Sequence, residues 1–236
     1  MKIAVIVPAF NESENILKLI LLIKKYINSE IIIVDDSINN ETEKIIKKKK
    51  INCYYFRRNK KLGRGSAVLY GLKKAFKLKK INLFIEMDAD LSHSPKELKR
   101  NIDYFIYNSL DLLISSRYLK ESKIINWPIS RKIFSHTSNL LARFLLNIPI
   151  TDYTNGFRIY SRRAAKIVVK KSGKIGDGFI ILSEILLIIY NQNFKIGEIN
   201  SKFVNRVRGE SSVNVKLIIE SFFGLIKLYL LKKKIN

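Results

Sequence analysis

The chain has 236 residues, 47% of them hydrophobic, which suffices for one α/β domain, or one domain with a C-terminal extension, around a substantial core. Its formal charge of +24 points to an anionic partner (nucleic acid, membrane surface or phosphorylated substrate), although joint enrichment in Lys, Ile and Asn also reads as a drift of the whole sequence. The single cysteine, Cys53, excludes a disulfide framework and points to a reducing, cytoplasmic compartment.

The opening "MKIAVIVPAFNESEN" places a Lys before an apolar run, but the run is short, broken by Pro8 and followed by Asn11 and Glu12. It is read as a buried first strand rather than a leader. A helical segment "ESENILKLILLIKKYI" follows, then a strand "EIIIV" closing on Asp35-Asp36-Ser37 and a further strand in "NCYYFRR". "GSAVLYGLKKAFKLKK" is a helix entered through Gly63 and Gly65. "INLFIEM" is a strand ending at Asp88-Ala89-Asp90. "SPKELKRNIDYFIYN" is a helix with Ser94 as N-cap, Pro95 at the first position and Glu97 completing a capping box. "LDLLIS" is a strand ending at Ser116-Arg117-Tyr118. The strand runs are apolar on both faces and alternate with helices, which predicts a doubly wound, mostly parallel α/β sheet with helices on both faces.

Beyond Tyr118 a long polar connection, "LKESKIINWPISRK", leads to a helix, "SRKIFSHTSNLLARFLLN". Then come "PITDYTNGFRIYSRRAAKIV", a helix near "FIILSEILLIIYNQ", and a strand-like "KIGEINSKFVNRVRG". The chain divides into a catalytic domain over 1–212 and an apolar C-terminal helix over 213–236. That helix is either deep core or an amphipathic element lying in a membrane interface. No apolar run reaches the roughly 20 residues of a transmembrane span. No membrane-spanning segment is therefore expected.

In doubly wound sheets, ligands bind beyond the carboxyl ends of the strands. Asp88 and Asp90, two apart on an extended chain, put two carboxylates on one side, an arrangement that favours a hard cation, Mg²⁺ or Mn²⁺, bridging to phosphate. Asp35 and Asp36 are candidates for a ribose hydroxyl or base edge, or for a turn acid. Gly63 and Gly65 lack the third glycine of a dinucleotide fingerprint, since Val68 stands there, and no Walker A sequence exists. Hydride transfer and nucleoside triphosphate hydrolysis are thereby excluded, and these glycines read as turn or packing residues. Arg117, Arg131, Arg158 and Arg206 stand out from the lysine background as candidate phosphate forks. His93 and His136 show no metal or catalytic spacing, and structural roles are expected. A nucleic-acid binder would explain the charge, but no recognition motif or basic-aromatic interleaving supports one.

"IVPAFNESENI", "IIVDDS", "EMDADLSHSPKEL", "SSRY", "DYTNGFRIY" and "FVNRVRGESS" together resemble the inverting family 2 glycosyltransferases of GT-A fold. Within that family the chain is most similar to the dolichyl-phosphate (polyprenyl-phosphate) mannosyltransferases. The resemblance implies mannose transfer from GDP-mannose to dolichyl or another polyprenyl phosphate, by a peripheral enzyme at the cytoplasmic face of a membrane. UDP-glucose as donor and a soluble glycan as acceptor are the alternatives within the family. It implies donor contacts from Pro8, Phe10, Glu12, Val34 and Asp36, and from Asp88, Ala89 and Asp90 at the metal and diphosphate. It also implies an acceptor-phosphate clamp of Arg117, Arg131 and Ser135, with Arg206 closing over the donor. The sequence departs from the family at Phe10, where Tyr is common, at Ser92, where Gln is usual, and at Ser212, where Lys is frequent.

Overall fold

The computed structural model describes residues 1–176, 178, 180–205 and 215–235. Seven strands form the main sheet: β1 (Lys2–Ala9), β2 (Glu30–Asp35), β3 (Tyr54–Arg57), β4 (Ile81–Glu86), β5 (Leu112–Ser116), β7 (Arg158–Ser161) and β8 (Ile196–Asn200). Their order is β3-β2-β1-β4-β7-β5-β8. All neighbours are parallel except β7, which runs antiparallel between β4 and β5. The predicted strands thus form the predicted sheet. The polar connection after Tyr118 conceals a further short strand, β6 (Lys123–Ile125), paired with β9 (Lys202–Val204) in a separate two-stranded sheet.

Strand side chains alternate between two cores. Ala4 and Ile6 of β1 join Val34, Phe84, Ile114 and Tyr160 on one face. There they meet α3 (Arg64–Lys77), α6 (Arg162–Lys171) and α7 (Ile180–Tyr190). Val5 and Val7 face the other way, with Ile33, Ile85 and Ile159. That face is covered by α1 (Ser13–Tyr26), α2 (Glu41–Lys48) and α4 (Leu98–Tyr107). β1, buried on both sides, therefore reads as an unbroken apolar run.

The expected capping box at Ser94 is not made. Ser94 is extended and Pro95 opens a 3-10 turn, but the Ser94 side chain caps nothing. The Glu97 carboxylate instead accepts hydrogen bonds from the Ser201 hydroxyl (2.6 Å) and the Lys202 amide (2.9 Å), tying the turn to the β8–β9 corner.

The reversed strand builds the site. Because Glu86 at the end of β4 pairs with Arg158 at the start of β7, the loop before β7 lies at the carboxyl edge of the parallel strands. Residues 151–157 thereby join the ends of β1, β4 and β5. Helix α5 (Ile129–Leu146) and helix α8 (Val215–Ile235) pack together beside this edge. Leu225 and Leu228 of α8 are buried in the core, whereas Phe222, Phe223, Leu230 and Leu231 are exposed. One face of the helix is therefore core, and the other is exposed and apolar. The division at 212/213 lies outside the described residues.

Helix α3 lies directly on the sheet because Gly71 lacks a side chain. A Cβ there would stand 2.5 Å from Ile6 Cγ2 and 3.3 Å from Val34 Cγ2. Gly71→Val is expected to destabilise the fold by about 1–3 kcal/mol through overpacking. A lowered urea midpoint with unchanged slope would verify this.

Candidate active site

A narrow cleft opens at the carboxyl edge of the sheet, walled by Arg64, Asp88, Asp90, Arg117, Arg131 and Thr154. The structure thus gathers the predicted carboxylate pair and two of the four predicted arginines in one place. Arg206 and Ser212 lie outside the described residues.

Asp88 and Asp90 follow the last residue of β4. The Asp90 carboxylate accepts the Ser92 amide at 3.0 Å. The Asp88 amide donates to His93 Nδ1 at 3.2 Å, which leaves the ring proton on Nε2, 2.9 Å from Asn155 Oδ1. His93 is therefore a neutral structural histidine, stacked on Phe157 and edge-on to Phe203. Ser92 is buried, and its hydroxyl has no hydrogen-bond partner among the described residues.

Arg64 is a site residue that the sequence analysis passed over. Its Nε donates to Asp88 Oδ1 at 2.7 Å and its Nη1 to Glu86 Oε1 at 2.6 Å. Burial opposes its charge, but Asp88 and Glu86 together raise its pKa further above the usual arginine value. A pattern of Gly-Arg-Gly entering a helix hints at this only once the fold sets the helix start against the acid strand end.

Arg117 follows β5 and is fixed by Asp152. Its Nε and Nη2 donate to the two Asp152 carboxylate oxygens at 2.8 Å each, and its amide donates at 2.9 Å. Nη2 also reaches Thr154 Oγ1 at 2.7 Å. Arg131 on α5 stacks over Trp127, 4.2 Å from the ring centroid, and donates to Asn205 Oδ1 at 3.0 Å. Ser135, one turn along α5, accepts the Tyr118 hydroxyl at 2.6 Å. Arg158 is a correction. It is fully buried and donates to the carbonyls of Asn155, Leu182 and Tyr153, so it braces the fold and is no phosphate ligand.

At the β1–β2 end, Asp36 is held by Arg58 (Nε–Oδ1 2.6 Å, Nη2–Oδ2 2.7 Å) and by the Leu62 amide. Asp35 accepts the Tyr55 hydroxyl at 2.7 Å and the Ser37 amide, the turn-acid alternative. Pro8 and Val34 are paired neighbours in the sheet, and the Val34 side chain belongs to the core. Phe10 lies under the Lys61 ammonium at 4.6 Å, and the Glu12 carboxylate accepts Asn15 Nδ2 at 2.7 Å. Ala89 is buried between the two acids.

The family model described as glycosyl transferase family 2 matches residues 4–168. The chain belongs to this family. It is 36% identical over 237 residues to the dolichol-phosphate mannosyltransferase of Pyrococcus furiosus, covering 97% of this chain and 64% of that protein. The polyprenol monophosphomannose synthase of Mycolicibacterium smegmatis is 30% identical over 231 residues, covering 93% of this chain and 83% of that one. Among solved structures, Mycobacterium tuberculosis glucosyl-3-phosphoglycerate synthase, in complex with Mn²⁺, UDP and glucosyl-3-phosphoglycerate, superposes with a TM-score of 0.67. It is 18% identical and covers 98% of this chain and 79% of its own. S. aureus TarS (residues 1–349) superposes with a TM-score of 0.61 at 18% identity, covering 98% of this chain and 65% of its own. The structural likeness establishes the shared glycosyltransferase fold.

The family's acid motif is chemically suited to a metal, but sparsely. Among the described residues no group of three or more His, Cys, Asp or Glu is placed to hold an ion. Two carboxylates at a cleft mouth suit a hard cation that takes its remaining ligands from water and phosphate.

The Asp152–Arg117 pair carries a prediction. Burial pushes the Asp152 carboxyl up, but Arg117 and the surrounding amides outweigh this and hold it below the usual range. A depressed folded pKa adds stability that is full above about pH 4 and is lost as pH falls through the folded value. Asp152→Asn is expected to cost about 3–5 kcal/mol at pH 7 by stranding a buried cation. In urea titrations across pH the gap from wild type should narrow in acid.

Proposed function

We propose that this glycosyltransferase moves mannose from GDP-mannose to dolichyl or another polyprenyl phosphate, with inversion. The observation that carries this reading is a second cavity. An apolar groove runs between α5, α7 and α8, lined by Phe134, Leu141, Ala142, Ile180, Phe222 and Leu225. Thr154 lines both the groove and the polar cleft, and it is bonded to Arg117. A phosphate carrying a long apolar tail fits that junction: headgroup among guanidinium groups, tail along the groove. The names of the two curated relatives support the same substrate class.

On this reading Arg117, Arg131 and Ser135 hold the acceptor phosphate. Arg117 is pre-oriented by Asp152, and Arg131 by Trp127. The acceptor oxygen is already ionised at neutral pH, so positioning it matters more than removing a proton. Pro8, Phe10, Glu12 and Asp36 would frame the nucleoside, whereas Val34, whose side chain is in the core, could offer only its backbone. Asp88 and Asp90 would hold Mg²⁺ or Mn²⁺, which supplies Lewis-acid neutralisation of the departing diphosphate.

Exposed apolar residues support an approach to the lipid from an interface. Ile129, Ile133, Leu140 and Phe144 are exposed on α5, and Phe222, Phe223, Leu230 and Leu231 on α8. No described helix is long and apolar enough to cross a membrane. These faces suit docking into an interface, aided by the basic charge of the chain. With one cysteine and a nucleotide-sugar donor, we assign the cytoplasmic face.

A radiolabelled transfer assay tests the reading. Wild type should transfer mannose from GDP-mannose, in preference to other nucleotide sugars, to dolichyl phosphate. Asp90→Ala should reduce turnover by about 10²-fold or more. Thr137→Trp, at the groove mouth, should raise KM for long prenyl phosphates and leave short ones nearly unaffected. Undiminished transfer by Asp90→Ala would sink the metal role.

A further inference from the structure

Arg64 is placed against local preference. It is the first residue of α3, where a positive side chain opposes the helix dipole. The chain enters that helix through Gly63 at φ +88°, a conformation that favours glycine. The guanidinium then threads between two acids, with Nε on Asp88 (2.7 Å) and Nη1 on Glu86 (2.6 Å). Glu86 is wholly buried and also accepts the Tyr160 hydroxyl at 2.7 Å. Room for the guanidinium comes from Gly156, where a Cβ would stand 1.8 Å from Arg64 Nη2. A glycine entry, a missing side chain and two carboxylates therefore combine to hold one cation beside Asp88, inside the cleft wall.

We propose that Arg64 is a resident counter-cation of Asp88, which opposes divalent-ion binding at Asp88 and Asp90 and supplies a fixed positive charge for the donor's diphosphate. It rests on the reading of that acid pair as the metal and donor site. The physical reason is charge balance. Asp88 meets an incoming divalent ion with its charge already partly neutralised by a contact at 2.7 Å. The same guanidinium attracts a nucleoside diphosphate. The ion therefore binds weakly alone, and together with nucleotide it binds well, because the diphosphate satisfies both cations.

Direct binding separates this role from a merely structural one, since loss of structure weakens both ligands. Calorimetry should be run with Mn²⁺ alone, and with GDP in the presence of EDTA, on wild type and Arg64→Gln. Arg64→Gln should bind Mn²⁺ about tenfold more tightly and metal-free GDP about tenfold more weakly, the scale by which an adjacent opposite charge shifts a carboxylate. Arg64→Lys keeps the charge but cannot fork across both acids, and should fall between the two. If Arg64→Gln is unstable in a thermal melt, Arg64→Gln with Glu86→Gln is compared with Glu86→Gln alone, and the same opposite signs are expected. Either affinity unmoved, or both weakened together, overturns the proposal. Wild type that binds neither Mn²⁺ nor GDP, singly or together, overturns the donor-site reading and this inference with it.

Discussion

Five donors converge on the buried carboxylate of Asp152: the amide, Nε and Nη2 of Arg117, and the amides of Thr154 and Asn155. The rest of the site hangs from this cluster. Its backbone is anchored by Glu198, which accepts the amides of Thr151 and Asp152. Asn155, positioned by Asp152, reaches the His93 ring, and His93 accepts the Asp88 amide. One buried charge thus ties the basic wall of the cleft to the acidic motif after β4. A carboxylate in an apolar interior is tolerated only when its lone pairs are filled, and here they are filled by groups that line or adjoin the cleft.

The same logic explains why so basic a chain keeps its working cations in pairs. Arg58 is matched to Asp36, Arg64 to Glu86 and Asp88, and Arg117 to Asp152. An arginine held by a carboxylate is less attractive to phosphate than a bare one, but it is already oriented. Orientation supplied by the fold costs nothing at the moment of reaction. The exposed lysines give the chain a diffuse positive field, whereas the paired arginines are fixed positive charges at set positions.

The sheet was legible because its strands are buried on both faces and end on polar residues: Asp35-Asp36, Asp88-Ala89-Asp90 and Ser116-Arg117. The pairing of β7 was not. "FRIYS" has only four strand residues, and nothing in its pattern says that it runs backwards between β4 and β5. That reversal brings "DYTNG" to the site, so the role of Asp152 stayed hidden although its motif was noticed. Arg64 was missed for a related reason: its partners are 22 and 24 residues away and meet it only through the β3–α3–β4 crossover. Arg158 was overvalued, because a buried arginine bonded to carbonyls and a phosphate ligand look alike in sequence. The Ser94 box failed because Glu97 found better donors at the β8–β9 corner.

Helix α5 shows how few residues the arrangement needs. Arg131, Ser135 and Asn139, spaced four apart, form one stripe that turns toward the cleft and the loop before β7. Phe134, Ser138 and Leu141 form the next stripe and line the apolar groove. Ile133, Leu140 and Phe144 occupy the outer stripe and are exposed. Three chemistries sit on three faces of one helix: anion, hydrocarbon and bulk interface. A substrate with an ionic head and an apolar tail, presented at an interface, meets them in spatial order, outer stripe first and arginine last. The helix therefore separates its exposed apolar stripe from its arginine by about its own width, on the order of 10 Å. A headgroup could reach the cleft while its tail remains in the groove.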